Sequence, residues 1–273
     1  MLEREPEGAH AADAACGLCW CAHRAKKYDA VLELSGRFLT RFPRHARAGE
    51  AQFLRSEALF ELARFEEALA SYQRVPTGER GEFADAALRG AAFALAALER
   101  HAEASAAFAA RIERYPKSRF VDEARLQVGV EKLLAGDARG ALASLAENGA
   151  GRSGEGAYWR ARALAGAGDE RAALELCGRA ANSGANEDLS RRWASLRADL
   201  LAKSGRAQEA REAREAVGLP RLARVRGVAA LEILRRGRGR QRREPGRGDR
   251  RERAPHQRAA APTIAVATVT FFA

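Results

Sequence analysis

The chain has 273 residues and a formal net charge of +11, and alanine supplies much of its 47% hydrophobic content. With aromatic residues at only 7%, such a chain builds thin layers of closely packed helices, which excludes one thick core. It contains no run of 18 apolar residues, so no transmembrane helix is expected.

The amino-terminal residues 1–11 are rich in acidic groups and have no helical period, and they are predicted to be disordered. They also lack the apolar stretch of a signal peptide, so the sequence as written indicates a cytoplasmic protein. If the true amino terminus is missing from this sequence, a periplasmic or cell-envelope location becomes the expectation.

Four side chains suited to zinc follow this segment: Cys16, Cys19, Cys21 and His23. Structural zinc sites usually divide two ligand pairs across a loop. Here all four fall on one predicted helix, which turns Cys21 away from the others. The alternative, a packed helix with Cys19 at a close-contact position, is the preferred interpretation, and no metal or other cofactor is expected.

A repeat of roughly 36 residues organises the chain from residue 12 to residue 219. One position in each unit marks the register: Val31, Ala68, Ala104, Ala141, Ala173 and Ala210. The intervals between successive marks are 37, 36, 37, 32 and 37 residues. A small residue stands twelve positions before every mark: Cys19, Ser56, Ala92, Gly129, Ala161 and Ala198. Because two helices approach closely only where facing residues are small, the pattern predicts six helix–turn–helix units.

Groove-filling residues and turn signals accompany the marks in several of the units. Four positions after the marks come Ser35, Tyr72, Phe108, Leu145, Cys177 and Arg214, of which four are bulky or apolar. The pairs Gly136-Asp137, Gly168-Asp169 and Ser204-Gly205 precede three of the marks. Glycine in the left-handed conformation ends one helix, and aspartate caps the start of the next.

Two similar stretches, RFPRHARAGEA at 41–51 and RYPKSRFVDEA at 114–124, lie 73 residues apart, which is two repeats. Pro43 and Pro116 end the second helix of a unit, since the residue before a proline resists helical geometry. The two stretches therefore mark boundaries between units.

These spacings resemble the tetratricopeptide repeat family over residues 12–219, in six units of which the first is degenerate. The clearest unit, AQFLRSEALFELARFEEALASYQRV at 51–75, has the family's small–alanine–aromatic spacing at Ser56, Ala68 and Tyr72. The Phe-Pro and Tyr-Pro pairs followed by Glu-Ala resemble the variant of bacterial cell-envelope members, such as the outer-membrane assembly lipoprotein and the Tol–Pal coordinator. The resemblance implies an all-α solenoid of helix–turn–helix repeats that winds as a right-handed superhelix. An irregular helical bundle with accidental near-periodicity is the competing interpretation.

Units one to four are assigned to 12–147 and units five and six to 157–219. Between them, residues 148–156 (NGAGRSGEG) are rich in glycine and are predicted to form a loose joint. GAGRSG at 149–154 also matches a dinucleotide-binding fingerprint. That fingerprint needs a preceding strand, whereas the residues before it have a helical composition, so the joint is the preferred interpretation.

The composition changes beyond Pro220. Residues 221–258 hold 14 arginines against four acids, so they carry +10 of the net charge of +11. The segment 221–273, rich in Arg, Gly and Pro, is predicted to be disordered. Such segments can bind RNA through phosphate contacts. An out-of-frame reading of a GC-rich gene would produce the same composition, and that alternative stays open.

The family resemblance implies that a peptide or helix binds in a concave groove lined by the first helices. In this register the candidate lining residues are Phe53, Glu57, Phe60, Arg89, Phe93, Tyr158 and Arg162. For the three phenylalanines, burial between helices is the competing interpretation. Charges at Glu57, Arg89 and Arg162 would have no role without a partner. These three residues are therefore the more diagnostic of partner binding.

The predicted function is a non-catalytic scaffold that binds a protein segment, in the setting of cell-envelope assembly that the resemblance implies. The alternative is an RNA-associated protein that uses the Arg-rich segment, with the repeats as a docking arm. The sequence has no H-E-x-x-H and no G-x-S-x-G motif, and its five histidines are scattered. An enzyme is therefore not expected.

Overall fold

The computed structural model describes residues 10–76, 83–146, 154–180 and 187–215. The chain divides into two units, residues 1–223 and 224–273, and every described residue lies in the first. Within the described ranges the structure is all-α, with twelve helices and no strand. None of these helices is long and apolar enough to cross a membrane. Residues 1–9, 148–153 and 221–273, to which the sequence assigns disorder or a joint, lie outside the described ranges.

The helices of the described ranges form six hairpins that follow one another in chain order. They pair α1 (Ala11–Arg24) with α2 (Tyr28–Arg41), α3 (Ala48–Glu61) with α4 (Phe65–Tyr72), α5 (Ala84–Ala97) with α6 (His101–Arg114), α7 (Val121–Leu134) with α8 (Ala138–Ala146), α9 (Gly154–Gly166) with α10 (Glu170–Ala180), and α11 (Glu187–Lys203) with α12 (Ala207–Glu215). We call the two members of each hairpin its first and second helix. The predicted all-α helix–turn–helix repeat is confirmed, although α9 begins inside the range assigned to the joint.

The turn inside every hairpin holds one residue in the left-handed conformation. These turn residues are Lys26, Ala63, Glu99, Gly136, Gly168 and Gly205, with φ between 55° and 91°. Each stands five positions before the mark of its unit. The intervals between successive turn residues are therefore the same as the intervals between successive marks. In each turn the next N–H bonds to the carbonyl five residues back, for example Lys27 to Ala22 at 3.0 Å. This Schellman arrangement satisfies carbonyls at the end of the first helix.

The residue after each turn residue immediately precedes the second helix, and in five of the six described turns its side chain bonds in one of two ways. Asp137 and Asp169 accept a hydrogen bond from the N–H three residues on, with Oδ1–N distances of 2.8 and 3.0 Å, as the sequence predicts. Arg64, Arg100 and Arg206 instead pair through two N–H groups with a glutamate three residues later, at N–O distances of 2.6–2.7 Å. A glutamate in the first turn also suits the positive end of the helix dipole.

The predicted close-contact positions are buried inside the hairpins. All six marks are at most 2% exposed, and the six small residues twelve positions earlier are buried as well. Gly129 shows why size matters, because a β-carbon there would collide with the side chain of Leu145. Leu145 is the groove-filling residue of the same unit, so the small residue and the filler meet as the register predicts.

Neighbouring hairpins stack in chain order. Each second helix packs against the next first helix, from α2 on α3 to α10 on α11. First helices also contact one another in succession, in the pairs α1–α3, α3–α5, α7–α9 and α9–α11. No two second helices among those described make a comparable contact. The first helices therefore form the inner row of the stack, which is where the family resemblance places partner binding.

The two similar sequence stretches form the same turn between hairpins. After Pro43 the N–H of His45 bonds to the carbonyl of Phe42 at 3.1 Å, and the N–H of Ser118 bonds to the carbonyl of Tyr115 at 3.0 Å. Both turns lead directly into the first helix of the next hairpin. They therefore mark unit boundaries, as the sequence analysis predicts.

The Glu-Ala pair that ends each stretch joins a hairpin to the one before it. Glu50 accepts a hydrogen bond from Trp20 of α1, and Glu123 accepts two from Arg89 of α5. The alanine that follows each glutamate is fully buried. The glutamate thus gives a polar link and the alanine a close apolar contact to the preceding unit.

Candidate partner-binding surface

The seven predicted groove residues lie on three first helices, namely α3, α5 and α9. Six of them occupy two register positions, ten and six residues before the turn residue: Phe53 and Glu57, Arg89 and Phe93, Tyr158 and Arg162. We call these two sites the inner-row positions. Because they recur on successive first helices, side chains at these positions follow one another along the inner row.

The three predicted phenylalanines are buried between helices. Phe53, Phe60 and Phe93 are 1%, 5% and 6% exposed. Phe53 stacks on Phe83, with ring centroids 5.2 Å apart, and Phe93 meets Phe108 edge-on at 4.9 Å. Such aromatic pairs stabilise packing beyond the apolar area that they bury. These three side chains are interhelix core in this structure, and direct contact with a partner stays a prediction for them.

Glu57 is buried and has a partner within its own hairpin. Its carboxylate accepts a hydrogen bond from the hydroxyl of Tyr72. Burial raises the pKa of Glu57 to about 7, and the Tyr72 hydrogen bond and the charge of Arg89 oppose this rise only in part. Gly90 of α5 makes room for the tyrosine, since a β-carbon at that position would overlap its ring.

Arg89 is buried as well, and its charge is matched inside the chain. Its guanidinium forms two hydrogen bonds to Glu123 of α7, at 2.7 and 3.1 Å. It also lies over the rings of Phe93 and Phe120, at 5.0 and 5.1 Å from their centroids. Arg89 and Glu123 thus pair opposite charges on two successive first helices, and this ion pair links the two helices within the stack.

The inner-row positions of α9 differ because their side chains are half-buried. The guanidinium of Arg162 lies 4.8 Å from the ring centroid of Trp159, and that of Arg192 lies 4.2 Å from the ring centroid of Tyr158. Tyr158 also meets the ring of Trp193 edge-on, with centroids 5.5 Å apart. We call Tyr158, Arg162 and Arg192 the Tyr–Arg patch.

Contacts with buried aromatic rings fix the orientation of the side chains in the Tyr–Arg patch. Trp159 and Trp193 are buried, at 3% and 4% exposure, so the two indole rings that contact the patch belong to the core. Arg192 is further held by an ion pair with Glu155, with a 2.9 Å distance from Nη1 to Oε1. The sequence analysis misses Arg192 and both tryptophans, although the cluster RRW at 191–193 could have signalled them.

The four possible zinc ligands of α1 do not converge. Cys16 and Cys19 are fully buried, whereas Cys21 is exposed. Burial raises the pKa of Cys16 to about 12 and that of Cys19 to about 11, which disfavours the thiolate forms that bind zinc. Within the ranges that the structure describes, no three side chains of the ligand types come together around a common point.

Comparison with known proteins rests on structure alone, because no family model and no curated protein sequence matches the chain. The chain is similar to a solved tetratricopeptide repeat protein from Parabacteroides merdae, with a TM-score of 0.54 and 16% identity over 80% of this chain and 81% of that one. The fold is a tetratricopeptide-like helical repeat. A second similar structure, Naa15/Naa10 bound to HypK-THB, has a TM-score of only 0.31 at 16% identity, over 76% of this chain and 36% of that one.

Proposed function

We propose that this tetratricopeptide-like protein is a non-catalytic scaffold that binds a peptide or a helix of another protein along its inner row. The observation that carries the proposal is the Tyr–Arg patch on α9 and α11. Its side chains occupy or adjoin the inner-row positions, and they are half-exposed where the equivalent side chains of α3 and α5 are buried. The patch is therefore the part of the predicted surface that a partner can reach.

The chemistry of the patch suits protein recognition. Tyrosine, tryptophan and arginine supply a large share of the binding energy at protein interfaces. Arg162 and Arg192 are already stacked on aromatic rings, so a partner would have less side-chain motion to restrict. Of these two arginines, Arg192 shares its charge with Glu155, while Arg162 adds a further positive charge beside it. We infer a partner segment that presents an acidic group next to an apolar side chain.

Cell-envelope assembly is the setting that we propose for this binding. The support is the pair of Phe-Pro and Tyr-Pro stretches followed by Glu-Ala, which resemble envelope members of the tetratricopeptide family. The alternative function, RNA association, depends on residues 221–273, which lie outside the described ranges.

Affinity capture with matched variants tests the scaffold proposal. The full chain is immobilised as wild type, as Tyr158→Ala/Arg162→Ala, and as the control Arg171→Ala, whose side chain on α10 is 92% exposed and away from the inner row. Proteins captured from native lysate, with nuclease present, are quantified and then tested in purified form by calorimetry. We expect the patch variant to bind its partner at least about tenfold more weakly, because a few anchors dominate binding.

The control fixes the interpretation of that experiment. Arg171→Ala should retain the affinity of the wild type, since its exposed side chain lies away from the patch. Circular dichroism checks that both variants keep the helix content of the wild type. If the patch variant captures and binds every partner as well as the wild type does, the proposed surface is wrong.

A further inference from the structure

The first helices share a third register position, thirteen residues before the turn residue, which we call the leading position. From α1 to α11 it holds Asp13, Glu50, Ala86, Glu123, Glu155 and Arg192. Four of these six residues are acidic, and Arg192 alone is basic. The leading position therefore supplies a carboxylate in most of the described hairpins, and α11 reverses its charge.

In α3 and α7 the carboxylate at the leading position bonds to the preceding first helix. Glu50 accepts a hydrogen bond from Trp20 of α1, and Glu123 accepts two from Arg89 of α5. Trp20 and Arg89 both stand at inner-row positions. The two glutamate side chains are largely covered, at 14% and 21% exposure. The stack thus joins an inner-row donor to the leading carboxylate of the next hairpin.

Glu155 of α9 departs from this arrangement. The inner-row positions of the preceding first helix, α7, hold Leu126 and Val130, whose side chains cannot donate a hydrogen bond. The Glu155 carboxylate bonds instead to the following hairpin, where it accepts from Arg192 Nη1 at 2.9 Å. Its side chain is 50% exposed. Of the three glutamates compared, it is the most exposed, and its ion pair is with the next hairpin and not with the one before.

Arg162 is an inner-row donor that lacks the corresponding carboxylate. It stands at the same register position as Trp20, whose acceptor is the leading residue of the next hairpin. For Arg162 the leading residue of the next hairpin is Arg192, another donor. In the described ranges no carboxylate pairs with the guanidinium of Arg162, which lies over the ring of Trp159. A carboxylate is therefore missing at the point where the repeat elsewhere provides one.

The two guanidinium groups lie around one indole ring. The Cζ atoms of Arg162 and Arg192 are 4.8 and 5.7 Å from the ring centroid of Trp159. Like charges placed so near one another repel, and a carboxylate beside both would relieve the repulsion. The planar fork of arginine also suits the two oxygens of a carboxylate. Glu155 supplies a carboxylate to Arg192 only, so these three side chains together carry a charge of +1.

We propose that Glu155 is an intramolecular competitor, which pairs with Arg192 in the free protein and is displaced by a glutamate side chain of the partner that pairs with Arg162 and Arg192. This inference rests on the proposed function and assigns a regulation to the same patch. An ion pair as exposed as that of Arg192 and Glu155 contributes little stability, so it can exchange readily. We assign a glutamate to the partner because a glutamate, flanked by Tyr158 and Trp159, is what Arg192 already binds.

Titration of the full chain with two short peptides tests this inference. The probes are Leu-Glu-Leu-Phe and Leu-Gln-Leu-Phe, blocked at both ends, and the readout is the indole N–H signal of Trp159 in NMR spectra. This indole donates to Glu155 Oε1 at 3.4 Å, so its signal reports on the displacement. The glutamate peptide should bind the wild type with a Kd of about 1 mM. The glutamine peptide, and the glutamate peptide on Arg162→Ala, should bind at least about fivefold more weakly.

The decisive variant is Glu155→Gln, because a competitor and a structural support predict opposite signs. Removal of a competitor raises the charge of the three side chains from +1 to +2, so the glutamate peptide should bind about two- to fivefold more tightly. If Glu155 only orients Arg192, the same change should weaken binding. The matched control is Glu175→Gln, which removes an exposed, arginine-paired carboxylate of α10 and should bind like the wild type.

The remaining outcomes are also decided by this titration. Leu-Gln-Leu-Phe with a free carboxyl terminus should bind like its blocked form, and binding as tight as that of the glutamate peptide would overturn the choice of a side-chain carboxylate. Weaker or unchanged binding by Glu155→Gln would overturn the competitor, provided that circular dichroism shows the helix content of the wild type. A wild type that does not bind the glutamate peptide at about 10 mM would overturn the whole inference. Affinity capture on the Tyr158→Ala/Arg162→Ala variant decides the scaffold proposal separately.

Discussion

The guanidinium of Arg89 and the carboxylate of Glu123 form a two-point ion pair between successive first helices, at 2.7 and 3.1 Å. The arginine side chain is 7% exposed and the glutamate 21%. Because the pair is largely out of water, each charge depends on the other. The sequence analysis assigns Arg89 to a partner, whereas the structure gives it a role in holding α5 to α7.

A double-mutant cycle should detect this dependence. Arg89→Leu should lower the free energy of unfolding by about 2 kcal/mol, since it removes charge-assisted hydrogen bonds to a half-buried carboxylate. Adding Glu123→Leu should recover part of that loss, giving a coupling energy of about 1–3 kcal/mol in urea unfolding. The exposed pair Arg100 and Glu103, treated in the same way, should show a much smaller coupling. Equal coupling in the two cycles would contradict a structural role for Arg89.

The stability of the protein should fall as pH rises through the range in which Glu57 titrates. The pKa of this carboxyl is about 7 in the folded chain against an ordinary value of 4.5, so the folded state holds more protons in between. Relative to Glu57→Gln, which keeps an acceptor for Tyr72, the wild type should lose up to about 3 kcal/mol of unfolding free energy between pH 4.5 and pH 7. Urea unfolding at several pH values measures the difference. Parallel curves for the two proteins would mean that Glu57 is ionised in the folded state.

The left-handed turn residues offer a direct test of the shared turn geometry. Ala63 and Glu99 have φ of 58° and 59°, a conformation that costs side-chain-bearing residues energy. Ala63→Gly and Glu99→Gly should therefore raise the unfolding free energy by about 0.5–1 kcal/mol, while Gly136→Ala should lower it by about 1 kcal/mol. The opposite signs are the diagnostic feature. If glycine at Ala63 and Glu99 destabilises the chain, those turns have another conformation.

The register of the repeat could be predicted from the sequence because it depends on contacts within one hairpin. The small residues, marks and fillers recur at fixed distances, and each hairpin closes by the same local hydrogen bonds. The turns at Lys26, Ala63 and Glu99 escaped prediction, since they use ordinary residues in place of glycine. Tertiary packing holds them in the left-handed conformation in spite of that cost.

The candidate surface could be predicted only in part. Its positions on the first helices follow from the register, but exposure depends on which side chains of neighbouring hairpins cover them. Glu57 meets Tyr72 of its own hairpin, and Arg89 meets Glu123 of the next. Such pairings join residues that are 15 and 34 positions apart, and no single-sequence pattern relates them. Tyr158 and Arg162 are half-exposed, and in the described ranges Trp159, Trp193 and Arg192 lie against them.

The Arg-rich segment gives a separate prediction for nucleic acid. Residues 221–258 carry +10 of the net charge of +11, so a chain ending at Pro220 is nearly neutral. Any affinity of the full chain for single-stranded RNA should fall steeply with salt and disappear on this truncation. Binding of a peptide partner to the Tyr–Arg patch should be unaffected. RNA binding that survives the truncation would assign it to the helical stack.

The central claim is that the six described hairpins share one geometry, in which the residue at each mark is buried in a close contact. Ala68 and Ala104 are fully buried marks, whereas Ala70 and Ala106, two positions on, are exposed on the same helices. The most direct measurement is the unfolding free energy of four Ala→Leu variants at these positions. We expect losses of about 1–3 kcal/mol at Ala68 and Ala104 from overpacking, and changes within about 0.5 kcal/mol at Ala70 and Ala106. If leucine is tolerated at both marks as well as at both controls, the shared close contact does not exist.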